Sequence, residues 1–251
     1  MMSAMRQAPA DAMVARGNAS TLPHGTGSSY SVPGWDQLLH ATTGVMSVET
    51  DSGTWVVPPH RALWIPDGQA YLATMHGRVA VRALYLRVEL AALPPELCVV
   101  NVPPLLRELV LQVVLRAAPL DRTVPRDRHL LDVVLDQLQE VPQAPLRLPQ
   151  PRDPRACVLA GLLADAPDAG LDELVRRAGA SRRTLERLFT SETGMPLARW
   201  RRQLRLVRAL QLLGAGHSVT EVSHRVGDAT PSAFTAMFRH ELGQTPAQYF
   251  R

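Results

Sequence analysis

Residues 173–196 and 221–246 carry one pattern twice, and a duplicated helical unit leaves a chain few folds to choose from. The copies read ELVRRAGASRRTLERLFTSETGMP and EVSHRVGDATPSAFTAMFRHELGQTP. Glu173 aligns with Glu221 and Gly179 with Gly227. Leu185, Phe189 and Gly194 then align with Phe234, Phe238 and Gly243, with one residue inserted in the turn. Each copy reads as a short helix, a glycine turn, a second helix with one apolar side, then Gly and Pro. That is a helix-turn-helix unit. Ser181 can cap the second helix of the first copy, and Thr230-Pro231 starts the corresponding helix of the other.

If Leu185, Leu188 and Phe189 are buried, then Arg182, Arg183, Glu186, Arg187 and Thr190 face outward. If Phe234, Met237 and Phe238 are buried, then Ser232, Thr235, Ala236 and Arg239 face outward. A helix predicted over 197–213 joins the copies. At ~17 residues it spans about 25 Å. With the bulk of both units added, the two outward faces could reach major-groove segments ~34 Å apart on one side of DNA. Leu197, Trp200, Leu204 and Val207 form its apolar stripe, and Arg199, Arg201, Arg202, Arg205 and Arg208 lie off it.

Charge points the same way. All 27 basic residues are arginine. Residues 1–151 hold 12 Arg and 13 acids, whereas 152–251 hold 15 Arg and 10 acids, so the net +4 resides in the second half. A basic domain beside a near-neutral one implies a polyanion partner.

The first half reads differently. Short β-rich runs at 44–50, 54–59, 61–66, 70–75 and 79–88, broken by Gly, Pro and Asp-Gly, predict a small barrel or jelly roll. Helices are predicted over 103–117 and 126–141, to pack on the barrel or to form a dimer interface. The fold class is therefore α+β: an N-terminal β-barrel with flanking helices and an all-α C-terminal domain. The domains expected are a disordered arm at 1–29, a front domain at 30–141, a proline-rich spacer at 142–154 and a DNA-binding domain at 155–251. Cys98 and Cys157 stand alone, which suits a reducing cytoplasm. No apolar run approaches the ~20 residues of a membrane span, so no membrane partner is expected.

The residues SRRTLERLF with TG-P (181–196), W-R--R (200–205) and G---PSAF---F---G-TP--Y (227–249) resemble the AraC/XylS family of bacterial transcription regulators. GVMSVET--GTWVVPPHRALWIP (44–66), ALYLRVE (83–89) and PLLRELVLQ (104–112) resemble a cupin-like domain of its efflux and nitroimidazole-resistance subgroup. The resemblance implies a sequence-specific regulator, cytoplasmic and not an enzyme, of a neighbouring transporter or metabolic gene. Its partners would be double-stranded DNA, a small-molecule effector, a second copy as homodimer and, for an activator, RNA polymerase. Arg183, Glu186 and Arg187 become base-facing in the first unit, and Ser232, Thr235 and Ala236 in the second. Arginine can grip guanine with two hydrogen bonds, whereas Ser, Thr and Ala offer a hydroxyl or methyl contact, so the first unit should carry most direct readout.

Asp228 departs from the family, which usually has an aromatic after that turn glycine, and a carboxylate there prefers solvent or a local donor. The alternative reading is a cupin metalloenzyme with a helical accessory domain. Metal-binding cupins carry a nearby histidine pair before the GVM-like strand. Here only His40 stands there, with His60 and His76 forming no pair, so neither a metal nor another cofactor is expected. Trp35, Trp55, Trp64, Tyr71 and Tyr85 are candidates for an aromatic effector pocket.

Overall fold

A computed structural model gives the structure of the chain and describes residues 12–30, 32–90, 92–139, 143–144, 146–167, 169–228 and 230–250. The front half contains strands β1 (Met13–Leu22), β2 (Gly27–Tyr30), β3 (Trp35–Thr50), β4 (Gly53–Val57), β5 (Arg61–Ile65), β6 (Tyr71–Arg87), β7 (Cys98–Asn101) and β8 (Leu120–Asp121). Strands β9 (Gln143–Ala144) and β10 (Arg147–Pro149) follow helices α1 (Pro104–Val114) and α2 (Pro125–Gln139).

The strands form one antiparallel sheet in the order β8-β1-β6-β3-β5-β7-β9, with β2 beside β6 and β4 between β3 and β10. The path does not close on itself among the described residues, so the expected barrel is here an antiparallel sheet that is not closed.

Period-two alternation separates its faces. Leu38, Trp64, Leu84 and Leu86 point to one side, where Leu106 and Val110 of α1 and Leu131 and Leu138 of α2 cover them. Their neighbours Leu39, Met46, Met75 and Ala83 point to the other side, into a core continuous with that of the C-terminal helices. The front helices therefore pack on the sheet. Helix α1 ends short of its expected C-terminus at 117, and residues 140 and 141 at the expected end of α2 lie outside the described set.

Two expected boundaries are corrected. The arm at 1–29 is a strand from Met13, because Ala15 to Leu22 pair with Leu86 to Val79 along the C-terminal half of β6. Residues 1–11 lie outside the described set. The proline-rich spacer is docked, with Arg147, Leu148 and Pro149 pairing with Trp55, Thr54 and Gly53. Proline suits this position because an edge strand leaves unpaired N–H positions that proline can occupy.

The second half is helical: α3 (Pro154–Asp165), α4 (Leu171–Arg177), α5 (Arg182–Thr193), α6 (Leu197–Gly214), α7 (Val219–Arg225), α8 (Pro231–Leu242) and a short α9 (Pro246–Tyr249). The helix predicted over 197–213 matches α6 to within one residue. Phe189, Trp200, Phe234 and Phe238 are fully buried. The ring of Phe189 meets that of Trp200 edge-on at 5.0 Å.

Helix α6 is the hub. The indole N–H of Trp200 donates to the carbonyl of Pro149 at 2.7 Å, fastening the docked spacer. At its far end Gln211 Nε2 donates to Ser47 Oγ on β3 at 2.8 Å, and Ser47 Oγ lies 2.8 Å from His76 Nε2 on β6. Burial, with His24 and Arg208 adding positive charge nearby, lowers the His76 pKa to about 4. Gly214 fits against β3 only without a side chain, because a Cβ there would stand 2.5 Å from Val45 Cγ2.

Candidate nucleic-acid interface and effector cavity

The duplicated units share their geometry as well as their sequence. Ser181 accepts from the amide of Thr184, and Thr230 accepts from the amide of Ala233, so α5 and α8 begin with equivalent caps. Both end in a left-handed glycine, Gly194 at φ 70° and Gly243 at φ 78°. Leu185, Leu188 and Phe189 are buried in one copy, and Phe234 and Phe238 in the other, with Met237 half-buried beside them.

The outward residues differ in how free they are. Arg182 holds Glu186 at 3.0 Å and reaches Asp172 at 3.3 Å. Thr190 donates its hydroxyl to the carbonyl of Glu186. Arg183 and Arg187, one turn apart and exposed, make no hydrogen bond or ion pair with a described residue.

On α8, Thr235 donates back to the carbonyl of Pro231 at 2.8 Å and is half-buried. Ser232, Thr235, Ala236 and Arg239 line one open concavity of about 850 Å³, together with His240 and Thr245. The structure thus brings each predicted set onto one helix face.

The connector arginines divide. Arg201 donates to the carbonyls of Pro167 and Ala169, each at 3.1 Å, and Arg205 donates to Pro167 at 3.3 Å. Partial burial and the neighbouring Arg205 depress the Arg201 pKa. These two cations hold the α3–α4 loop. Arg199, Arg202 and Arg208 remain exposed.

Asp228 is half-buried, and its Oδ1 stands 3.8 Å from Arg205 Nη1. Its Oδ2 has no hydrogen-bond partner among the described residues. The carboxylate therefore faces the connecting helix, where solvent or a local backbone donor was expected.

In the front half a cavity of about 80 Å³ opens on the face of the sheet turned away from α1 and α2. Of the five aromatic candidates it gathers Tyr71 and Tyr85, alongside Leu39, Met46, Met75 and Ala83. Tyr71 donates its hydroxyl to Gln37 Oε1 at 3.0 Å. The three tryptophans do not line it. Trp64 lies under the helices, with its N–H on the Pro94 carbonyl. Trp55 stacks under Arg147. Trp35 is covered by Arg16 and Arg87.

Sequence reading missed the opposite wall, which is Asn18, Ser20 and Leu22 of β1. The signal was their period of two, hidden by polar composition. Among the described residues no group of three or more His, Cys, Asp or Glu side chains could hold a metal.

A helix-turn-helix domain model matches residues 174–251. The HTH-type transcriptional regulator NimR of Escherichia coli strain K12 is 33% identical over 215 residues, covering 85% of this chain and 78% of NimR. That alignment is too long to lie within either half alone. The chain belongs to the AraC family of helix-turn-helix transcription regulators.

Its function is DNA-binding control of transcription, and its relatives are regulators and not enzymes, which sets aside the metalloenzyme reading. RipA of Corynebacterium glutamicum, another HTH-type regulator, is 36% identical over 109 residues, or 43% of this chain and 32% of RipA. Among solved structures, the DNA-binding domain of AdpA in complex with a target DNA is 38% identical over 39% of this chain and 91% of that one, with a TM-score of 0.36. No helix among the described residues of this AraC-family chain is long and apolar enough to cross a membrane.

Proposed function

We propose that this AraC-family regulator reads bases mainly through Arg183 and Arg187 of α5, while α8 holds register and senses groove shape. The observation that carries this reading is the contrast in partners. Arg183 and Arg187 are exposed and unengaged among the described residues, while Arg182 and Glu186 are spent on each other. For Glu186 to accept from cytosine it must leave Arg182. Arg182, Thr190 and Arg239 then serve as phosphate and edge contacts.

The test is a mobility-shift titration on the DNA upstream of the chain's own gene, across a salt series. Binding must depend on sequence and weaken as salt rises. Binding that is equal on unrelated DNA would defeat the reading.

The front domain, cupin-like in type, binds a small effector in the Tyr71–Tyr85 cavity. Exposed Leu105 and Val133 on α1 and α2 favour a homodimer through those helices, which light scattering would test. The regulator works in the cytoplasm on a neighbouring transporter or metabolic gene and, as an activator, would meet RNA polymerase there.

A further inference from the structure

We infer that the Tyr71–Tyr85 cavity takes an uncharged, largely apolar molecule of about single-ring size. This deepens the effector reading and rests on it. Among the described residues the lining consists of Leu, Met, Val, Ala, Tyr, Asn and Ser, with no Arg, His, Asp or Glu. An ion entering such a lining would lose its water and gain no counter-charge, so charge is selected against.

Arg16, on the adjoining strand, lies over the rings of Trp35 and Tyr85 at 4.9 and 5.0 Å and is not part of the lining. Arg82, next to Ala83 in sequence, donates to the backbone carbonyls of Ser20 and Val81. Its position in β6 places it on the opposite face from Ala83.

Polarity is concentrated on one wall. Asn18 and Ser20 alternate along β1 at the rim and offer an amide and a hydroxyl, while the floor is Leu39, Met46, Ala73 and Met75. A ligand with one neutral hydrogen-bonding group at one end and an apolar body matches this asymmetry. Size is set by the cavity volume of about 80 Å³. An apolar cavity of ~150 Å³ holds benzene. Met46 and Met75 are opposed across β3 and β6, and their flexible side chains can yield the remainder.

Benzamide, benzoate and benzamidine have nearly the same shape and differ in charge, so they isolate the claim. Binding is read from the methyl resonances of Met46 and Met75 in the full-length protein. The expected result is saturable perturbation of both methyls by benzamide, with benzoate and benzamidine about a hundredfold weaker. Ala83→Leu should abolish it by filling the cavity, and Ser20→Leu on β1 does the same with less demand on the core. Tighter binding of either ion overturns the ligand class and leaves the cavity as the effector site. Failure of all three probes to move either methyl overturns both the class and the site, and leaves the DNA-binding reading to its own titration.

Discussion

Asp228 Oδ1 and Arg205 Nη1 face each other at 3.8 Å, joining the turn of the second helix-turn-helix unit to the connecting helix. At that distance the pair is an ion pair without a hydrogen bond. Burial raises the Asp228 pKa above its ordinary 3.8, and the opposing pull of Arg205 does not offset it. A raised carboxylate pKa means the folded state favours the protonated form. That contribution is complete below the unfolded value and is lost as pH rises through the folded one. Asp228→Asn should therefore raise the melting temperature at pH 7, and its advantage should vanish below pH ~3.8. A lower melting temperature at pH 7 would show that the ion pair outweighs the burial cost.

The contact between the halves depends on a missing side chain. In an ordinary helix Gly→Ala stabilises by about 1 kcal/mol. Here the added Cβ would stand 2.5 Å from Val45 Cγ2 and 3.1 Å from Val45 N, so the sign should reverse. Gly214→Ala should cost about 1–3 kcal/mol in urea denaturation. Adding Val45→Ala removes the Cγ2 clash and should return about half of that, unless the two sites are uncoupled.

Two histidines make the front half acid-sensitive. The pKa values of His40 and His76 are both lowered to about 4, chiefly by burial. A depressed histidine contributes stability above its unfolded value, which is lost as pH falls through the folded one. Stability should thus decline from about pH 6.5 toward pH 4, by up to ~3 kcal/mol for the more buried His40. In NMR titrations both imidazoles should remain neutral at pH 5.5. Ordinary midpoints near 6.5 would contradict the packing described.

DNA binding should separate the arginines by what they touch. Arg187→Ala should cost ~1–3 kcal/mol of affinity and relax specificity locally. Thr235→Ala should cost less, since that hydroxyl is already bonded to Pro231. The reverse order in titrations would make α8 the principal reader. Arg201→Ala should lower thermal stability and leave the salt slope of binding unchanged, because Arg201 serves the Pro167 and Ala169 carbonyls.

How much was legible follows the range of the interactions. The helices of the second half could be read because helical hydrogen bonds close within four residues, so spacing, caps and glycine stops are written in place. The outward faces of α5 and α8 follow from the same periodicity. Whether an outward arginine is free could not be read. Arg201 and Arg183 look alike in sequence, and only the carbonyls of Pro167 and Ala169 distinguish them.

The front half was harder, since a strand is completed by a partner far along the chain. Ala15 pairs with Leu86, and no local pattern announces a mate so distant. The polar run of β1 thus reads as an arm until β6 gives it an edge to join. Trp64 and Tyr71 are both aromatic residues near strand ends. The side of the sheet each faces decides that one lies under helices and the other lines a cavity.

The sequence by itself determined a duplicated helix-turn-helix region, its basic charge and its capped, one-sided helices, because local spacing and composition are sufficient for those. The tertiary structure decided the open sheet, the wall that Asn18 and Ser20 give the cavity, the seam at Gly214 and the partner of Asp228. Each of these depends on contacts between residues distant in the chain, and such contacts exist only once the whole core has packed.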